Sequence, residues 1–359
     1  MNIDQTQGSA KNLTNESNAK MGIKARDLIN RIIVLILLFI GMVVVVTPLV
    51  WMMVSALKSQ DAVNTNPPQW IPTEQIKVEV NGKSAFLYDI EVNGVLRQLA
   101  LIKKEGSTGT FVNPDNPTEQ YQLPVASGKR ATRVYFHWEN FLLAVTKVPF
   151  AHYLLNTMII VVFGTLGTLV SCTLVAYGFA RFRAKGLNLL FLILLSTVML
   201  PPQVTLIPTF ILFKKIGWYD TLYPLIIPAF FANAWDVFLL RQFFMTLPTE
   251  LDDAARIDGA GPFQILWHVI LPQSYPVIAT VTIFSVLYAW NDFYAPLIYL
   301  QSESNWTVAL GLQAFNAVFT KQQHLLMAAS ALMLIPPVLL FFFAQKLFIQ
   351  GVVVSGIKG

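Results

Sequence analysis

Six separate stretches of this chain are apolar for long enough to cross a lipid bilayer, and nothing else restricts its possible folds as strongly. They run over residues 32–57, 153–180, 187–213, 222–240, 276–300 and 325–344. The hydrocarbon core holds no water, so a crossing segment must satisfy its own backbone hydrogen bonds. About 20 consecutive apolar residues achieve this as a helix. Composition agrees: 55% of the 359 residues are hydrophobic and only 13% are charged. That balance suits a membrane rather than a soluble core.

The net charge of +5 is spread over the ends of the apolar runs, so flanking basic residues account for it without any nucleic-acid partner. Lys20, Lys24, Arg26 and Arg31 precede the first run and place the N-terminus on the cytoplasmic side. Arg181, Arg183 and Lys185 mark the loop after the second run as cytoplasmic; Arg241 and Arg256 do so after the fourth, and Lys346 and Lys358 after the sixth. Lys214 and Lys215 fall on the expected outer side, against the trend. The first run is too long for a signal-peptide core and reads as a retained span, 25–57 with its basic flank. Residues 1–24 are polar and are expected to form a disordered cytoplasmic tail. Cys172 is the single cysteine, and the four histidines show no metal-ligand spacing.

Between the fourth and fifth runs lies a polar loop, 248–272. Thr249 followed by Asp252 resembles a capping box opening a helix. Asp258-Gly259 ends that helix, because glycine adopts positive φ without penalty. Pro262 then suits the first turn of a second helix, and Leu271-Pro272 closes the unit. Periodicity alone leaves two readings open, an amphipathic hairpin lying on the membrane or a docking loop.

The ordered residues of this loop resemble the coupling loop of permease subunits in binding-protein-dependent ABC importers. Asp253-Ala254-Ala255, Gly259 and Ile270-Leu271-Pro272 match its pattern, with Asp253 where the family usually has Glu. Further matches are Ala176–Arg183, Met199–Pro208, Phe238–Phe244, Trp290–Phe293 and the tail from Gln345 with terminal Gly356-Ile357-Lys358-Gly359. The chain is similar to the maltose-type permeases of carbohydrate importers. The resemblance implies an all-α integral membrane protein with six transmembrane helices of the type I importer permease fold, its core over 151–344 and a cytoplasmic tail over 345–359. It implies a bacterial inner-membrane location, a second permease as heterodimer partner, two ATPase subunits and an external solute-binding protein. The chain itself would bind no cofactor, with ATP and Mg on the partner ATPases. Coupling to them would fall to Glu250, Leu251, Asp253, Ala254, Ala255, Asp258, Gly259, Phe263, Leu266, Ile270, Leu271 and Pro272.

Residues 58–150 are longer than the family usually allows after the first span. Asn81-Gly82 and Asn93-Gly94 sit between alternating runs, the best short-range signal for hairpins. A small antiparallel β insert over about 73–136, on the outer face, is the expectation. Gly82-Lys83-Ser84 resembles part of a phosphate loop, but position 77 is Lys where that loop needs glycine.

Carboxylates at membrane depth are costly and functional by default. Asn233, Asp236, Asn291 and Asp292, with Trp290, are candidates for a translocation pathway; partly solvated helix-end carboxylates are the plain alternative. Pro201-Pro202, Pro208 and Pro336-Pro337 are either gating kinks or tolerated bends. Two competing functions are a secondary transporter, which would call for repeats and paired charges that are not evident, and a membrane-anchored β-domain receptor.

Overall fold

The computed structural model describes residues 4–65, 67–80, 82–317 and 322–356. Helix α1 runs Asp4–Ala56. Where a disordered tail was expected, the chain from Asp4 continues the helix of the first span. No proline interrupts the sequence before Pro48, and extending an existing helix costs far less than starting one. Its candidate span, Leu28–Ala56, has none of its most apolar window buried within the chain.

The insert follows as eight short strands: β1 (Thr73–Gln75), β2 (Lys77–Val80), β3 (Lys83–Val92), β4 (Val95–Glu105), β5 (Thr108–Asn113), β6 (Asn116–Pro124), β7 (Gly128–Arg130) and β8 (Thr132–Val134). Strands β2 to β6 form an antiparallel meander, with β7 paired to β3. Asn93 (φ 53°) and Gly94 (φ 79°) take the left-handed conformations expected of a type I′ turn. One sheet face buries Tyr88, Ile90, Leu99 and Phe111; the other buries Val80, Ala85, Ala100 and Val112. Pairing of β1 with β8 aligns Thr73 with Val134 and brings the ends of the insert together.

Helix α2 (Glu139–Thr146) returns the chain to the bilayer. Buried Asn140 donates its side-chain amide to the carbonyls of Ala56 (2.8 Å) and Lys58 (2.9 Å). It thereby satisfies acceptors at the end of α1 that lack an intrahelical donor. Lys58 is itself fully buried, gives its ammonium to the Gln69 carbonyl and lies 4.2 Å from the Trp51 ring centroid. Burial holds its pKa below the usual lysine value. Asn140→Leu orphans two carbonyls and is expected to cost about 1–3 kcal/mol. A drop in the unfolding temperature of the detergent-solubilised protein checks this, with Asn140→Asp, which sets a buried carboxylate against the same two carbonyls, falling at least as far.

Among the helices that follow are α3 (Phe150–Arg181), α4 (Leu187–Ser196), α5 (Pro202–Lys215), α6 (Ala234–Phe244), α7 (Glu250–Ile257), α8 (Pro262–Ile265), α9 (Tyr275–Asn291), α10 (Tyr294–Tyr299) and α11 (Gln323–Gly356). Four stretches are long and apolar enough to cross a membrane, and up to six if two bent pairs each count as one span. Three of the six apolar runs, 187–213, 222–240 and 276–300, are interrupted along their length. The first bends by 98° between Met199 and Val204. Leu200 and Pro201 both precede a proline and are extended (ψ 118° and 133°), because the ring of a following proline disfavours the helical region. The second breaks at Ala232 (φ 56°, ψ 151°). The third ends at Asn291, with Asp292 extended, and resumes at Tyr294. By contrast, Pro208 and Pro336-Pro337 stay inside continuous helices. Of the expected C-terminal tail, the chain from Gln345 to Gly356 continues α11, whereas residues 357–359 lie outside the described residues.

Helix α3 is the hub of the core. Its buried Cys172, Ala176 and Tyr177 pack with Val237, Leu240 and Phe244 of α6, Ile265, Leu266 and Ile270 of the loop, and Val281 of α9. Small residues on α3 allow close approach: a Cβ at Gly167 would come within 2.7 Å of the Phe230 ring. Such contacts replace the hydrophobic drive that helices lack inside lipid.

Candidate functional site

Two places in the fold combine exposed or cavity-facing polar groups with a defined geometry: the 248–272 loop and a cavity among α3, α6 and α9. In the loop, α7 ends in a paired hydrogen-bond pattern. The Ala260 N–H donates to Ala255 O (2.9 Å), and the Gly259 N–H donates to Arg256 O (3.0 Å). This is a Schellman stop, which places the residue between them in the left-handed region. Gly259 has φ +84°, with open space around it. Gln264 Oε1 then accepts the Gly261 N–H (2.7 Å) and starts the second helix. That helix widens into a π-helical turn over Leu266–Ile270, where the Leu271 N–H reaches Leu266 O. Pro272 lacks an N–H and would crowd the carbonyl four residues back, which the wider turn avoids.

Three expectations for the loop are corrected. Thr249 is in a helical conformation and makes no side-chain cap. Asp252 instead turns inward against Arg181 at the end of α3. Arg181 Nε lies 3.3 Å from Asp252 Oδ2, with the two side chains 3% and 4% exposed. Arg181 Nη2 also donates to Leu247 O (3.1 Å), while Asp252 Oδ1 has no hydrogen-bond partner among the described residues. Sequence pattern missed this pair, since nothing local relates two residues so far apart in the chain. Leu266 and Ile270 are buried in the chain's own core (3% and 0% exposed) and offer no docking surface. The outward apolar groups are Phe263, as expected, and Ile257 and Trp267, which were not singled out (75%, 86% and 68% exposed). Glu250, Asp253, Ala254 and Asp258 are also exposed, Leu251, Ala255 and Leu271 half-buried, and Pro272 exposed. Asp253 pairs with Arg256 (3.0 Å).

The cavity, about 630 Å³, is lined by Asn233, Trp235, Asp236, Ser285, Tyr288 and Asp292 among others. The break at Ala232 lies between Ala229 and Asn233, both of which line the cavity. The Ala232 N–H donates to Ser171 Oγ (3.1 Å), whose hydroxyl donates to Ala229 O (2.9 Å). Asn233 then caps α6: its Oδ1 accepts the Asp236 N–H (2.9 Å), and its Nδ2 donates to Asp236 Oδ2 (2.7 Å). Asp292 Oδ1 accepts the Ala295 N–H (3.2 Å) across the break after α9. Three expected pathway residues, Asn233, Asp236 and Asp292, thus meet at one cavity. Trp290 and Asn291 do not line it. Trp290 is buried with its indole N–H on Met333 O (3.1 Å), and Asn291 Nδ2 donates back to Leu287 O (2.9 Å); successive helical positions point in different directions.

Beyond the cavity, Asp220 ties the chain before the fourth span to the loop after α10. Its carboxylate accepts the N–H groups of Gln301 (2.9 Å) and Ser302 (2.8 Å) and the Ser302 hydroxyl. Asn305 donates to the Asp220 backbone carbonyl (2.6 Å). Burial alone would raise its pKa, but these donors outweigh it and hold the group at about 2. A depressed folded pKa stabilises above the unfolded value and is lost as pH falls through the folded one. The stability difference between wild type and Asp220→Asn is therefore expected to be full above pH 5, to shrink below pH 4 and to be nearly gone near pH 2. Thermal unfolding in detergent across that range checks it; a pH-independent difference counts against an ionic latch.

Apolar spans, a helical loop closed by a glycine stop and a cavity at broken helices together define a membrane transport subunit. The chain belongs to the family of binding-protein-dependent transport system inner membrane components, whose model matches residues 166–354, more than half of the chain. It is 30% identical over 225 residues to the probable ABC transporter permease protein YurM of Bacillus subtilis, covering 62% of this chain and 75% of that one. It is 32% identical over 204 residues to the arabinooligosaccharides transport system permease protein AraQ of the same organism, covering 57% and 72%. It is 36% identical over 166 residues to the sn-glycerol-3-phosphate transport system permease protein UgpE of Yersinia pestis, covering 46% and 59%. A chain of the bacterial ABC transporter involved in the import of the acidic polysaccharide alginate has the same fold. Its TM-score is 0.64 at 20% identity, over 89% of this chain and 96% of that one. The fold is that of type I ABC importer permeases, and the chain is an importer permease subunit.

Proposed function

We propose that this chain forms half of a six-span pathway that admits a sugar or sugar-like solute. A second, different permease completes it. Two ATPase subunits dock on the 248–272 loop, ATP and Mg reside on them, and this subunit does no chemistry of its own. Both termini lie in the cytoplasm of a bacterial cell whose inner membrane holds the spans, and an external binding protein delivers the solute. The observation that carries this reading is the exposure of Ile257, Phe263 and Trp267 on a loop whose Leu266 and Ile270 are packed into the core. Large apolar groups held in water-facing positions mark a docking surface. The carbohydrate class draws support from the likeness to the arabinooligosaccharides transport system permease protein AraQ.

Tagged protein purified from cells expressing the whole transport operon should bring down an ATPase, and the purified complex in proteoliposomes should take up radiolabelled neutral mono- to pentasaccharides only with ATP. Purification free of any ATPase, with uptake driven by an ion gradient, would instead favour a secondary transporter. The β insert faces the outside in this reading and meets the binding protein. Because β1 and β8 bring its ends together, residues 73–134 are excisable with a short linker. The expected result is weaker binding-protein docking with membrane insertion unchanged; unchanged docking would remove that role.

A further inference from the structure

The cavity among α3, α6 and α9 has a charge character that the transport role alone does not require. Two carboxylates line it, Asp236 and Asp292, and none of the residues lining it is Lys, Arg or His. A half-helix N-terminus at membrane depth would ordinarily attract an anion, because its free N–H groups and dipole are positive. Here α6 has its N-terminus already occupied. Asn233 caps it, and Asp236, only 8% exposed, stands in its first turn with its own N–H bound by Asn233. The helix end that could have received a phosphate or carboxylate from the solute therefore carries a carboxylate of the protein.

Beside the two carboxylates stand the exposed rings of Trp235 (56% exposed) and Tyr288 (77% exposed). Hydrogen-bond acceptors next to aromatic faces suit a solute that presents hydroxyl donors and C–H faces. We propose that this cavity is a specificity subsite that receives neutral, polyhydroxylated solute and excludes anionic solutes such as uronic acids and sugar phosphates, with Asp236 and Asp292 as the discriminating groups. This deepens the pathway reading and rests on it. It also sets the chain apart from the sn-glycerol-3-phosphate transport system permease protein UgpE, whose named solute is an anion. Like-charge repulsion lets these groups reject the wrong solute without binding the right one tightly.

The test probes the cavity without knowledge of the natural solute. Ser285, which lines the cavity, is replaced by cysteine in a Cys172→Ser background, within the complete importer in proteoliposomes. Reaction rates with a cationic reagent, ethyltrimethylammonium methanethiosulfonate, and an anionic one, ethylsulfonate methanethiosulfonate, are expressed as a ratio and divided by the same ratio for free 2-mercaptoethanol. The normalised preference for the cation is expected to be about tenfold or more, since unit charges several ångströms apart in a low-dielectric site interact by more than thermal energy. Asp292→Asn and Asp236→Asn should each lower it severalfold, and together should bring it near one. Asp292→Asn keeps the test decisive if Asp236→Asn disturbs the α6 cap. A normalised ratio near one in the unsubstituted cavity overturns the proposal, as does failure of both reagents to react. A cation preference that persists in the double variant overturns the assignment to these two residues. Uptake is scored separately: a complex with the expected ratio but no ATP-driven sugar uptake defeats the transport reading and leaves the anion-excluding cavity standing.

Discussion

Replacing Asp252 with alanine is expected to destabilise the permease by about 3–5 kcal/mol, the usual cost of leaving one partner of a buried ion pair uncompensated. Both side chains of the Arg181–Asp252 pair are almost wholly buried. Removing the carboxylate strands a guanidinium that cannot be deprotonated. The pair also fastens the start of α7 to the end of α3, so the loss should loosen the coupling loop as well as the fold. The double replacement Arg181→Met with Asp252→Leu removes both charges and is expected to recover most of the stability, because apolar groups of similar volume can substitute for a buried pair. Unfolding temperatures of the wild type, Asp252→Ala and the double variant in detergent decide the point. An Asp252→Ala protein as stable as wild type would show that water reaches Arg181. If the double variant regains stability but ATP-driven uptake stays low, the pair serves coupling beyond its structural cost.

Gly259→Val should leave the protein inserted but abolish most transport. At φ +84° a β-branched residue is strained even though nothing crowds the position, at a cost of about 1–3 kcal/mol. The strain sits at the Schellman stop between α7 and the second helix, so relieving it is expected to change how Ile257 is set relative to Phe263 and Trp267. Gly259→Asn is the informative companion, because asparagine tolerates the left-handed region far better. The expected order is wild type above Asn above Val, read as ATP-driven uptake per inserted permease and as ATPase retained on purification. Full transport by Gly259→Val would remove the corner from any account of coupling.

Much of this architecture was legible in the chain. The apolar runs, the Asn93-Gly94 hairpin and the Gly259 stop each rest on local chemistry: backbone satisfaction in lipid, a two-residue turn and a residue without a Cβ. Asn233, Asp236 and Asp292 stood out because carboxylates and amides are costly at membrane depth. Other features depend on groups brought together from distant positions. The break at Ala232 carries no glycine to announce it and is held by Ser171 on another helix. Asp252 looked like a local cap until the fold set Arg181 beside it. Leu266 and Ile270 share the apolar character of Phe263, yet the turn of the second helix sends them into the core and leaves Phe263 outside. Trp290 and Asn291 adjoin Asp292 in sequence but not in the cavity, since the helix aims each neighbour differently. Sequence alone determined which segments are apolar enough to cross a membrane and where the loop turns, because those choices follow from transfer free energy and backbone sterics. Only the tertiary structure decided which polar groups meet, because one helix's side chain must close another's broken backbone and no residue encodes its distant partner.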